Sequence, residues 1–185
     1  MQRFVSALTV LWLAACAGSG PPAAFDALIG SPGVVTLTNL HPDERRSRLF
    51  AANYQQDGLI PVCSAVVLLD RNRERLVFSV QETGKTYEYY HHAKAAAEPF
   101  PEHLARYFGT ECPRDDANLA EVDRRGIAEG KALAGMSKAG VVLALGVPPR
   151  HTTPSLDADR WLYWKNRFDR MAVVFRDGRV AGIEE

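Results

Sequence analysis

The chain has 185 residues, 46% hydrophobic and 24% charged, the balance of an ordinary globular protein rather than a disordered or fibrous one. Basic and acidic residues number 22 each, so the formal net charge is zero, which excludes the strongly basic footprint of a nucleic-acid-binding protein. The length suffices for one medium domain or two small ones.

Met1-Gln2-Arg3 is a short cationic start, and Phe4 to Ala15 is an apolar run closed by Leu13-Ala14-Ala15-Cys16. About 12 apolar residues are too few to cross a bilayer core, which takes roughly 20 at helical rise, so residues 1–15 read as a removable leader. Leu13 to Cys16 resembles the signal-peptidase II site of bacterial lipoproteins. That resemblance implies cleavage before Cys16 and lipidation of Cys16 as the new N-terminus. Ala17 follows, rather than the Asp that inner-membrane retention resembles, so the expected address is the periplasmic face of the outer membrane. Arg3 leaves with the leader, and the rest of the chain then carries one acidic residue in excess. With no polybasic patch, acyl chains do most of the membrane holding, at about 0.8 kcal/mol per buried methylene.

Residues 16–33 are rich in Gly, Pro and small side chains and read as a flexible tether, interrupted by Phe25, Leu28 and Ile29. Val34 to Leu40 alternates like a strand and stops at His41-Pro42; Asp43 to Tyr54 fits a short charged helix. Ile60 to Leu69 is apolar on both faces, as a central strand would be. Leu76, Phe78 and Val80 follow at period two, and a turn at Glu82–Lys85 leads into Thr86 to Tyr90. Three such strands make a meander, suited to a small antiparallel sheet or an SH3-like barrel.

Phe100 to Phe108 reads as a helix with Pro101 at its first position and Gly109 at its stop. Its stripe of Phe100, Leu104, Tyr107 and Phe108 should pack on the meander. Asp115-Asp116 opens a second short helix that carries Leu119 and Val122 inward. Ser137 is a good N-cap, and Gly146 ends that helix before Pro148-Pro149. Arg160 to Lys165 is an aromatic strand; Met171–Arg176 and Arg179–Ile183 flank Asp177-Gly178, a two-residue hairpin signal. The expected fold class is α+β, with small antiparallel sheets and packed helices. A strand-meander unit spans 34–125, and a helix with a three-stranded antiparallel sheet spans 126–185.

An exported chain meets an oxidising compartment. Apart from Cys16 it holds one pair, Cys63 and Cys112, which either closes as a disulfide or stays as two buried thiols. Closing a loop of about 50 residues contributes roughly 4 kcal/mol in the chain-entropy picture.

Four stretches carry a family resemblance: Gly135-Met136-Ser137-Lys138-Ala139-Gly140-Val141, Leu145-Gly146-Val147-Pro148-Pro149-Arg150, Trp161-Leu162-Tyr163-Trp164, and Val174-Phe175-Arg176-Asp177-Gly178-Arg179-Val180. In this order they resemble the BamE (SmpA/OmlA) domain, across roughly residues 127–183. The resemblance implies a small outer-membrane lipoprotein with helices on a three-stranded antiparallel sheet, of the kind that serves β-barrel assembly. Two departures stand out. Gly140 lies where the family commonly has the Glu of a capping box, and residues 34–125 have no counterpart in the small assembly subunit.

His91, His92, His103 and Cys112 are the nearest approach to a metal-ligand set. Adjacent residues of a strand point to opposite faces, so the pair reads as a polar strand end and no metal is expected. No nucleophile elbow and no phosphate loop are present, so neither enzymatic chemistry nor a cofactor is expected. In the aromatic strand, Trp161 and Tyr163 share one face, Leu162 and Trp164 the other. One pair belongs to the core; the other is an interface anchor unless the meander covers it. Trp161, Tyr163 and Trp164 are therefore interaction candidates. The reading is a lipid-anchored scaffold or accessory protein that binds another envelope protein in envelope or outer-membrane assembly. The alternative is an SH3-like cell-wall recognition module with Tyr87, Tyr89 and Tyr90 as its aromatic platform.

Overall fold

A computed structural model of the chain describes residues 24–92, 98–113 and 118–185. The leader, Cys16 and the opening at Asp115-Asp116 lie outside the described residues. What is described is an α+β arrangement of three helices and small, mostly antiparallel sheets. No helix among the described residues is long and apolar enough to cross a membrane.

The strands β1 (Val35–Thr36), β2 (Arg48–Phe50), β3 (Val66–Arg71), β4 (Arg75–Val80) and β5 (Thr86–Tyr90) belong to the first core. The expected meander is there as β3-β4-β5, antiparallel throughout. Its period-two pattern sends Leu76, Phe78, Val80, Tyr87 and Tyr89 inward. A fourth strand joins it: β2 lies parallel to β5, in the sheet order β2-β5-β4-β3, so the sheet is open rather than an SH3-like barrel.

β2 comes from the segment expected to be helical. Asp43 Oδ1 accepts from the backbone N–H groups of Arg45 and Arg46, making a tight turn, and Ser47 is left-handed at φ 51°. A left-handed residue stops a helix, and pairing with β5 takes over. The strand expected from Ile60 begins only at Val66. Pro61 has no N–H to give a ladder and Cys63 is left-handed at φ 67°, so residues 60–65 turn instead.

Helix α1 (Phe100–Leu104) is shorter than expected, because Tyr107 N bonds Leu104 O in a tighter turn and the chain then straightens. Phe108–Gly109 becomes β6, antiparallel to β1. This puts the Phe108 ring edge-on to Phe78 at 5.1 Å and to Phe25 at 6.5 Å. Gly109 lets Leu37 pack close, since a Cβ there would sit 3.1 Å from Leu37 Cδ1 and the leucine would have to give by a few tenths of an ångström. Phe25 lies on a 3-10 turn (Ala24–Leu28), Asp26 pairs with Arg71, and Gly30 N bonds Leu68 O. Residues 24–33, expected as the end of the tether, are therefore part of the folded body.

The second core gathers α2 (Glu121–Glu129), α3 (Lys138–Leu145) and the sheet β7 (Arg160–Trp164), β8 (Arg170–Arg176), β9 (Arg179–Glu184), in that order and antiparallel. Asp177 and Gly178 have φ of 51° and 73°, the pair of positive values that a two-residue hairpin with native twist demands. Val141, Ala144 and Leu145 of α3 pack on Trp161, Tyr163, Val173, Phe175 and Val180.

Two hydrophobic clusters are thus distinct, and a polar seam joins them. An α-helix leaves its last four carbonyls without partners. In α3 and the residue after its cap, every carbonyl from Leu143 to Val147 is satisfied by a tertiary contact. Leu143 O accepts from Asn39 N, and Ala144 O from Asn39 Nδ2 and His41 Nε2. Leu145 O accepts from Asn53 Nδ2 and Gln55 Nε2, Gly146 O from the Tyr163 hydroxyl, and Val147 O from Asn53 Nδ2 and the Tyr107 hydroxyl. All of these donors except Tyr163 come from the first unit.

Candidate interaction surface

The expected site residues fall into different places. Trp161 is 1% exposed and Tyr163 0%, while Tyr87 is 4% and Tyr89 2%. These four are core residues, which corrects their assignment as interaction residues. The helices α2 and α3 claim the Trp161–Tyr163 face, where the Trp161 ring lies 4.7 Å from Phe175. The first core claims Tyr87 and Tyr89, so two of the three rings of the wall-binding alternative's platform are inside the protein, and Tyr90 is half-buried against Phe50. Of the β7 candidates, Trp164 alone reaches the surface, and only in part.

Cys63 and Cys112 form a disulfide with a Cα–Cα distance of 5.1 Å. It ties the turn at 60–65 to the segment leading out of the first core. Among the described residues no group of three or more His, Cys, Asp or Glu is placed to hold a metal. His91 instead stacks on Phe100 at 4.7 Å, and Cys112 is oxidised.

His103 takes part in a buried polar chain that sequence reasoning missed. The Tyr89 hydroxyl is 2.9 Å from His103 Nε2, and Glu98 Oε1 is 3.0 Å from His103 Nδ1. Since the carboxylate can only accept, Nδ1 carries the proton and Nε2 accepts from Tyr89. Arg106 closes on Glu98 Oε2, and Arg150 lies 3.7 Å away. Burial lowers the His103 pKa and outweighs the opposing pull of Glu98. Burial acts to raise Glu98, yet the hydrogen bond from His103 and the charges of Arg106 and Arg150 carry it below the usual carboxylate range. Burial holds Tyr89 well above its ordinary value, so the hydroxyl stays protonated. The chain has the order of an acid–base relay, but the space beside it is about 10 Å³, room for one water and for no substrate.

The open surface lies instead where β7 leaves the second core. Gln55 N donates to Trp164 O at 2.7 Å, and Tyr54 bridges Trp164 in parallel register, so the first unit covers the end of the β7 edge. Phe50 and Tyr54 then face Trp164 and Arg167 across a cleft of about 230 Å³ that His92 and His151 also line. Beyond it the turn between β7 and β8 presents Phe168, 75% exposed, with the Arg167 guanidinium 4.6 Å from its ring.

No protein-family model, curated protein or solved structure matches this chain.

The cleft residues Phe50, Tyr54, His92, His151 and Arg167 come from separate parts of the chain, and nothing in their local pattern announces a meeting. Phe168 was missed as well, though the sequence held a signal for it: a lone aromatic in the polar turn Lys165-Asn166-Arg167-Phe168-Asp169.

Proposed function

We propose that this chain is a lipid-anchored binding protein of the periplasmic face of the outer membrane, a scaffold or accessory for another envelope protein during envelope or outer-membrane assembly. The lipoprotein-like Leu13–Cys16 supports the address. The BamE-like order of helix cap, helix stop and hairpin supports the setting. The observation that carries the binding role is Phe168. Burying a phenylalanine is worth about 1.5–3 kcal/mol, and this one stands out on a hairpin tip under an arginine, two residue types enriched at protein interfaces. The best-organised polar chain, Tyr89–His103–Glu98, has no room for a reactant, which favours binding over turnover.

A photo-crosslinking residue at position 168 of the full-length protein, activated in living cells, tests this. The expected product is one discrete adduct with an envelope protein. Adducts with lipid alone, or with many proteins in proportion to their abundance, defeat the reading. In the same cells, Cys16→Ser is expected to release the folded protein from membranes. A variant that stays bound after salt washing defeats the anchor. Sedimentation with purified peptidoglycan examines the cell-wall alternative directly.

A further inference from the structure

The cleft beside β7 has a composition that narrows what enters it. Trp164 stacks nearly parallel to His151, at 6.4 Å and 18°, and the Arg170 guanidinium lies 5.4 Å from the Trp164 ring centroid. Phe50 is stacked on Tyr90 at 5.8 Å and 25°. Each of these contacts takes up part of the aromatic face that Phe50 and Trp164 could offer the cleft, and Tyr54 is tilted at 57° to Phe50. A sugar ring stacks its C–H surface on an open aromatic face and finds less of one here. An aromatic or bulky apolar side chain, in contrast, packs well against ring edges, the T-shaped arrangement that the quadrupole favours.

Charge narrows the occupant further. The titratable groups lining the cleft among the described residues are His92, His151, Arg167 and the Tyr54 phenol, with Arg170 beside them over Trp164; no carboxylate lines it. Trp164 Nε1 is a buried donor without an acceptor among the described residues. The volume of about 230 Å³ is below the roughly 300–1,000 Å³ of drug-sized sites, and suits one large side chain.

We propose that this cleft is an anchor pocket for an acidic peptide segment of a partner protein. One aromatic side chain of the segment enters between Tyr54 and Trp164, and flanking carboxylates meet Arg167 and Arg170, whose planar guanidinium groups match them in two-point hydrogen bonds. The proposal rests on the reading of the chain as a binding protein and supplies the chemistry of its partner.

The test is a titration of the full-length protein, held in nanodiscs of zwitterionic lipid, with acetyl-Glu-Glu-Phe-Glu-Glu-amide, followed by Trp fluorescence and calorimetry. Saturable binding is expected, at least tenfold weaker when Phe is replaced by Ala or the glutamates by lysines. Tyr54→Ala should weaken the acidic peptide at least tenfold. Arg167→Glu, on an exposed residue that the fold does not need, should weaken it equally and turn the preference toward the lysine-flanked peptide. No binding at about 1 mM peptide, equal binding of both peptides, or tighter binding of an N-acetylglucosamine tetramer overturns the pocket. A discrete crosslinked partner at Phe168 with no peptide affinity overturns this assignment alone. Peptide affinity without any such partner overturns the scaffold reading and leaves the pocket standing.

Discussion

Asp123 of α2 occupies the space that a side chain at Gly140 of α3 would need: a Cβ at position 140 would lie 2.7 Å from Asp123 Cγ. The buried carboxylate uses that closeness. Its Oδ1 accepts from Ser137 N at 2.7 Å and from Ser137 Oγ at 3.1 Å, and its Oδ2 accepts from Ala120 N at 3.0 Å. Ser137 Oγ meanwhile accepts from Gly140 N at 2.9 Å. One carboxylate therefore serves the first turns of two helices, where negative charge is favourable. The bond to the Ser137 N–H is the one that a Glu at position 140 supplies in a capping box. The missing glutamate is replaced from another helix.

A double-mutant cycle follows. Asp123→Ala removes three hydrogen bonds to a charged group and should cost about 3 kcal/mol. Gly140→Glu in the native background should cost about 1–3 kcal/mol through overpacking. In the Asp123→Ala background the same Gly140→Glu should cost less than in the native protein, because the carboxylate is gone and the glutamate has a free N–H to cap, while the Cβ of residue 123 still lies 2.9 Å from the new one. Denaturant unfolding of the four proteins checks it; additive losses within about 0.5 kcal/mol would show that the two residues are independent.

The seam at the C-terminal end of α3 makes the two cores interdependent. Asn53, left-handed at φ 49°, donates to both Leu145 O and Val147 O. Asn53→Asp places acceptors against acceptors at the negative end of a helix and should cost more than Asn53→Ala, itself about 2 kcal/mol. In the native protein, Trp fluorescence, to which Trp161 and Trp164 of β7 both contribute, and tyrosine near-ultraviolet dichroism, to which the first unit supplies most of the tyrosines, should give coincident unfolding curves. In Asn53→Asp they should separate.

Stability should fall as pH drops below neutrality. His41 and His103 both have folded pKa values lowered by burial, so the unfolded chain binds their protons first. The stability they contribute is present above the ordinary histidine value near 6.5 and is lost as pH falls through their folded values. Glu98, held low in the folded state, adds a further loss only at more acidic pH. Urea midpoints between pH 7.5 and 5.5 should decline, and His103→Gln should flatten the decline. A flat native profile would mean that neither imidazole is buried as described.

The disulfide closes a sequence separation of 49 residues. Reduction, or the paired change of Cys63→Ser with Cys112→Ser, should lower stability by about 2–5 kcal/mol and shift the thermal midpoint down by several degrees. Equal melting with and without reductant would contradict a closed bridge in the purified protein.

What the sequence by itself determined was local and periodic. The β3–β4–β5 meander, the Ser137 cap, the Gly146 stop and the Asp177-Gly178 hairpin rest on alternation, capping and turn chemistry, which act between neighbours along the chain. The α+β class follows from them, while alternation paired Trp161 with Tyr163 on one face and left to the tertiary structure which face to bury. Tertiary structure decided what depends on residues far apart. It turned the expected helix at Asp43–Tyr54 into a strand parallel to β5, because only a partner in space rewards an extended backbone there. It sank Tyr87 and Tyr89, which alternation alone leaves free to face either side, and it supplied Asp123 in place of a local cap. It also drew Phe50, Tyr54 and Trp164 to one cleft. A contact between residues more than a hundred positions apart leaves no period in a sequence; it exists only once two cores share a seam.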